Sequence, residues 1–232
     1  DHMRREQSGN ALFIVLIAIV LFAGLTMVMA NLEGSREFDT DYEGMRSGAA
    51  QLITFAATLD SAVTKVMSFN GCTENDLDFY DQGQSPTDYE HSVTNERCQI
   101  FHPKGGQMTY KEVGGSILDP SQTYSYRITG QQGFTEIGTN LNDLTFLAHV
   151  TAGACSYLNE QLGVENLVDG SPPIDDVSQP FLLQVFNGGR TGQGDYSGAG
   201  LVTHANLTGK PSGCYYDSDN DIYLFYSVLL AR

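Results

Sequence analysis

Residues 10–30 read NALFIVLIAIVLFAGLTMVMA, an apolar run without a single charged side chain, and the short stretch MRREQSG stands directly before it. About 21 residues at about 1.5 Å each cover about 31 Å in a helix, the thickness of a bilayer's hydrocarbon core. No other feature restricts the chain as strongly, because it predicts one membrane crossing close to the start of the sequence. A cleaved secretory signal has an apolar core of about 7–15 residues and a small-residue cleavage site. This run is longer than that, although Met29-Ala30-Asn31 would serve as an end. A signal anchor fits both its length and its flanks.

Charge sets the expected orientation. Arg4 and Arg5 precede the run, whereas Glu33, Glu37, Asp39, Asp41 and Glu43 follow it against Arg36 alone. The positive-inside rule then puts the N-terminus in the cytoplasm and the rest of the chain outside, as a single-pass inner-membrane protein with a periplasmic or extracellular head. All four cysteines fall in the outer portion, where disulfides persist. Four cysteines allow three connectivities, and the sequence leaves the choice open. Cys72–Cys98 and Cys155–Cys214 are favoured because each pair brackets one loop-rich stretch. Each bridge is expected to add about 3–4 kcal/mol through loop entropy.

With 28 acidic and 12 basic residues the formal net charge is −16. Such a chain repels nucleic acid and anionic headgroups, which excludes functions built on phosphate contacts. Acidity is densest between Glu74 and Glu96, and no Lys or Arg lies between Lys65 and Arg97. That block reads as a solvated loop, with a cation-binding or basic-partner surface as the alternative.

Arg4, Arg5, Gly9, a span that starts without a polar spacer, and Gly24 inside it together resemble the N-terminus of type IV pilins and pseudopilins. The resemblance covers about the first 60 residues. It implies cleavage between Gly9 and Asn10 on the cytoplasmic side, methylation of the new N-terminus, and assembly with like subunits through the N-terminal helix. Two positions depart from the family pattern. Ile14 stands where most pilins have glutamate at the fifth mature residue, and Asn10 stands where an aromatic or apolar residue is usual. The tip minor pseudopilins of type II secretion systems also lack that glutamate, and their span opens with a run similar to Ala11-Leu12. The function implied is a non-enzymatic structural subunit of a bacterial envelope filament, at its tip or in a minor position. An uncleaved, anchored periplasmic module that binds a glycan or an envelope partner is the alternative.

Four regions are expected. Residues 1–9 comprise two tag-like residues, Asp1 and His2, ahead of Met3 and a basic leader. Residues 10–30 form the transmembrane helix, and 31–70 an amphipathic helix that continues it. Residues 71–232 form the extracytoplasmic head. From Met45, apolar residues recur at Ala49, Leu52, Ile53, Ala56, Leu59, Val63, Val66 and Met67, the spacing of a helix with one core-facing stripe. Asn70-Gly71 supplies the stop. Gly34 and Gly44 are possible breaks, so a span, a linker and a separate first helix is the other option.

Beyond Gly71 the chain alternates short apolar segments with Gly, Pro, Asn and Asp. Strands are predicted at 98–102, 108–113, 123–128, 134–137, 144–150 and 221–230, with turns after His102, at Leu118 and over 129–133. A helix is predicted at Ala152–Leu162 with Gly163 closing it. Pro172-Pro173 breaks the chain, 181–186 is a strand or short helix, and 187–200 is a glycine-rich loop. The expected fold class is α+β: a long N-terminal helix, half spanning the membrane and half amphipathic, packed on a mainly antiparallel sheet with two disulfides.

Little in the head suggests catalysis. The glycine-rich loop lacks the Gly-Lys-Ser/Thr ending and the third glycine of the phosphate-binding fingerprints. No Gly-x-Ser-x-Gly occurs. The histidines are scattered, which argues against zinc, and His149 reads as a core residue. Asp217, Asp219 and Asp221 alternate as in the opening of an EF-hand loop, but Ile222 and Val228 replace its glycine and final glutamate. An acidic turn is the plain reading. Calcium is the alternative, and the pilin resemblance adds to it because pseudopilin heads often hold calcium in a late loop. Asn206-Leu-Thr matches a glycosylation sequon. Tyr215, Tyr216, Tyr223 and Tyr226 could form a carbohydrate-binding face, although half-buried packing is the commoner use of such residues.

Overall fold

In a computed structural model of the chain, residues 8–80, 95–121, 126–139, 142–176 and 200–232 are described. Side chains within the first stretch are described at 15–22 and from 42 onward. Backbone helix α1 runs Ser8–Asn70, and the chain divides into two units, Asp1–Gly44 and Met45–Arg232.

The first unit is helical in its described part. The second is a mixed helix-and-sheet body. Its strands are β1 (Arg127–Phe134), β2 (Asp143–Val150), β3 (Ile174–Asp175), β4 (Leu201–Val202), β5 (Ser212–Asp217) and β6 (Ile222–Leu230), and helix α2 is Ala152–Leu162. The six strands form one sheet in the order β3-β5-β6-β2-β1-β4. The inner pairings β5–β6, β6–β2 and β2–β1 are antiparallel, while the two-residue edge strands β3 and β4 pair in parallel.

Strand alternation divides the interior into two cores. Leu144, Phe146, Ala148 and Val150 of β2 and Phe225 and Leu229 of β6 face one side. They meet the predicted stripe of α1, in which Ala49, Leu52, Ala56, Leu59, Val63 and Val66 are buried, joined by Phe55 and Ala62. Leu147 of β2 and Leu224 and Tyr226 of β6 face the other side, with Phe134, Val202, Leu207 and Tyr215. Among the described residues Tyr42–Asn70 is long and apolar enough to cross a membrane by length and composition. Its stripe is spent on the first core, however, so from Met45 onward it serves as a core helix.

The sheet curls until its margins meet. Asp175 lies in edge strand β3, yet its Oδ2 accepts hydrogen bonds from the backbone N–H groups of Thr203 (2.7 Å) and His204 (2.9 Å), just past the opposite edge strand β4. Very short strands and this closure leave little free edge for another chain to add to.

α2 ends as predicted: Gly163 takes the left-handed conformation, φ 67°, that glycine adopts without cost. Several other expectations need correction. Residues 98–102 form no strand; a 3-10 turn, Glu96–Cys98, leads into a single bridge between Gln99 and Asp78. Residues 108–113 run without turn or bend but join no ladder. The predicted turn over 129–133 lies inside β1, where the Gly and Gln residues produce a register shift between Thr129 and Gln132 instead of a reversal. β5 is a strand that the alternation of the sequence does not predict. The expectations for 181–186 and for 187–199 lie outside the described residues.

Candidate functional site

Gly9 and Asn10 carry helical backbone within α1, but the side chains of Asn10 and Ile14 lie outside the described residues, as do residues 1–7. The nearest described side chains are at 15–22. There Val15, Leu16, Ile17, Ile19, Val20, Leu21 and Phe22 are all exposed, from 43% at Ile17 to 70% at Phe22. At about 100° per residue these seven cover the whole circumference of the helix, so no polar face remains to meet water. A surface of that kind is suited to lipid or to other apolar helices.

The cysteines pair as Cys72–Cys98, separated by 26 residues, and Cys155–Cys214, separated by 59. The first ties the segment after α1 to the Asp78–Gln99 bridge. The second ties α2 to β5. Beside it, Asn159 Nδ2 donates to the Cys214 carbonyl and the Cys214 N–H donates to Asn159 Oδ1.

The acidic triplet forms the β5–β6 hairpin turn. Asp217 is buried at the end of β5; its Oδ1 accepts from the Asp219 N–H at 3.1 Å and its Oδ2 from Asn220 Nδ2 at 2.7 Å. The Tyr216 hydroxyl donates to Asp221 Oδ1 at 2.9 Å, and Asp221 holds a left-handed φ of 55°. Burial raises the Asp217 pKa. Two of the carboxylates are thus engaged by protein donors, and the three do not converge. Among the described residues no group of three His, Cys, Asp or Glu side chains could hold a metal ion. The plain reading of Asp217, Asp219 and Asp221 as a turn describes what is seen.

The tyrosine cluster splits between the two sides of the sheet. Tyr215 and Tyr226 are buried, with Gln132 Nε2 donating to the Tyr215 hydroxyl and the Tyr226 hydroxyl donating to the Lys210 carbonyl. Tyr216 and Tyr223 pack together at 4.9 Å between ring centroids. The sequon amide is also engaged, since Asn206 Nδ2 donates to the Glu165 carbonyl at 2.8 Å.

Two buried ionisable groups stand out. Asp143, at the start of β2, is fully buried; its Oδ1 accepts from the Arg232 N–H, and its Oδ2 has no partner among the described residues. Burial pushes its pKa up to about 6, against the opposing pull of hydrogen bonds from the Arg232 and Phe134 N–H groups. His149 is buried in β2, and burial pushes it down to about 4. Asp119 pulls that value back up while Arg127 lowers it further. His149 is therefore a neutral core histidine at physiological pH.

One concave site was missed by sequence reasoning. A groove of about 590 Å³ runs between exposed residues of α1, among them Ser47, Gln51, Thr54 and Thr58, and the extended segment carrying Thr109 and Lys111. Lys111 Nζ sits 5.7 Å above the Phe55 ring. Just beyond, Lys65 Nζ donates to Gln107 Oε1 at 2.6 Å. The available signal is the alternation at 108–111, which predicts a strand and not a groove wall. Comparison of the chain with protein-family models, with curated proteins and with solved structures finds no match.

Proposed function

We propose that this protein is a membrane-anchored structural subunit of a bacterial envelope filament, pilin-like or minor-pseudopilin-like, whose work is assembly and not catalysis. The observation that carries the reading is the exposure of every large apolar side chain described at residues 15–22, on a helix whose later residues serve a disulfide-bonded body as core. Before assembly the apolar helix would be held in lipid; within a filament it would pack on like helices. Ile14 removes the carboxylate thought to pair with a neighbour's N-terminal amine, which suits a tip or minor position better than the repeating one. Even cysteine pairing supports an oxidising compartment for the body.

The test is the mature N-terminus. In a host with a prepilin peptidase, mass spectrometry of membrane-fraction protein should find Asn10 first and N-methylated. A chain that still starts at Met3 in that host overturns the proposal and leaves an uncleaved anchored module.

A further inference from the structure

Residues 107–114 run beside α1 with no turn, bend or ladder, and 108–113 hold no left-handed φ. Their side chains alternate as in a strand: Met108 and Tyr110 pack on the core, while Thr109 and Lys111 are exposed. The Met108 N–H donates to the Ile100 carbonyl at 3.2 Å, so that side of the segment faces the body. In extended chain the main-chain groups of the neighbouring residues, Thr109 and Lys111, point the opposite way. Among the described residues those groups make no backbone hydrogen bond. A short stretch of strand edge is thereby left open among the described residues, although the main sheet has closed its own margins.

The open edge lies along the groove. The facing wall, Ser47, Gln51, Thr54 and Thr58, is uncharged and is partly satisfied within α1, where Gln51 bonds to Ser47 and Thr58 to the Thr54 carbonyl. Lys111 is the charged residue of the lining, and no Asp or Glu joins it, in a chain of net charge −16. We infer that the groove takes an extended segment of a partner protein, which adds as a strand to Thr109 and Lys111 through main-chain hydrogen bonds and sets an acidic side chain against Lys111. Main-chain pairing would supply affinity and the lysine the choice of sequence. A volume of about 590 Å³ is within the range, about 300–1,000 Å³, of clefts that enclose a ligand. A second copy of this chain is a poor occupant, because two chains of net charge −16 repel each other over the approach.

The test uses the full chain in detergent micelles and a library of linear seven-residue peptides. Selected peptides should alternate β-branched or aromatic residues with polar ones and carry an Asp or Glu. N-methylating alternate amides of a selected peptide should weaken binding about tenfold or more, and Lys111→Glu should do the same while shifting selection toward Lys or Arg. Lys111→Gln, a milder change over Phe55, should lose only the acidic preference. With peptide bound, amide exchange at Thr109 and Lys111 should slow about tenfold. The inference is overturned if no selected peptide responds to both N-methylation and the Lys111 variants, or if exchange at these amides is unchanged. Protection that grows with protein concentration and needs no peptide would mark a second copy instead and would also overturn it.

Discussion

Replacing Asp175 with alanine removes the acceptor that closes the curled sheet. Its carboxylate takes hydrogen bonds from three backbone N–H groups, those of Asp176 (3.0 Å), Thr203 (2.7 Å) and His204 (2.9 Å). The Asp176 bond is local and regains water easily, so it contributes little to the cost. The other two join opposite margins of the sheet around a residue that is 6% exposed. A hydrogen bond to a charged group contributes about 1.5–3 kcal/mol, and each stranded donor adds a desolvation penalty. Two such bonds give an expected loss of about 3–6 kcal/mol for Asp175→Ala. Asp175→Asn keeps a carbonyl oxygen without the charge and should lose about 1–2 kcal/mol. Urea unfolding of the full chain in mild detergent, followed by near-ultraviolet circular dichroism of the buried tyrosines, measures both. Amide exchange at Thr203 and His204 should rise at least tenfold more than exchange in β2 or β6. An alanine variant within about 0.5 kcal/mol of the parent, with unchanged exchange at those two amides, would refute closure through Asp175.

Three further outcomes follow from other parts of the body. Cys155→Ser with Cys214→Ser should cost about 4 kcal/mol and Cys72→Ser with Cys98→Ser about 3.5, because the first bridge closes the longer loop (59 against 26 residues); urea midpoints of the two double variants rank them. Gly48→Ala should destabilise by about 1–3 kcal/mol in thermal unfolding, although alanine is the better helix former, because a Cβ there would lie 2.5 Å from the Gly114 carbonyl oxygen and 2.8 Å from Ile117 Cγ2. Asp143 and His149 should oppose each other in acid. The raised Asp143 pKa contributes stability that is complete below about 3.8 and is lost as pH rises through about 6. The lowered His149 pKa contributes stability that is complete above about 6.5 and is lost as pH falls through about 4. Asp143→Asn should therefore steepen the loss of stability on acidification from pH 6.5 to 4, and His149→Gln should reverse it, each by about 1–2 kcal/mol after solvent screening.

Helical periodicity was the most legible signal in the chain. The stripe from Ala49 to Val66 and the helix closed by Gly163 could both be read from spacing, since each buries one face against a single layer and ends on a glycine suited to a left-handed turn. The last strand was legible for a similar reason, its alternation dividing Phe225 from Leu224 and Tyr226 between two cores. Turn chemistry misled at 129–133. Gly and Gln there accommodate a register shift in a strand held on both sides, by β2 and β4, and tertiary pairing overrode the local preference. β3 and β4 could not be anticipated, because two-residue strands carry no periodicity and depend on partners far away in sequence.

The same distinction separates the two candidate sites. At Asp217, Asp219 and Asp221 the sequence displays three carboxylates, but how they are used depends on hydrogen bonds from Asn220, Tyr216 and the turn's own backbone, which engage both oxygens of Asp217 and one of Asp221. At Thr109 and Lys111 the lysine is, among the described residues, the one charged side chain that lines the groove. The rest of their interest lies in main-chain groups, and whether a main chain is paired is not encoded in the identity of the residues that carry it. Residues 108–111 have strand alternation, so pairing was the natural expectation. Met108 and Tyr110 are instead packed on the first core beside α1, and the segment joins no ladder. An alternating segment held against a helix keeps its edge unused, and an unused edge beside a cation in an acidic protein favours an extended, acidic occupant over water.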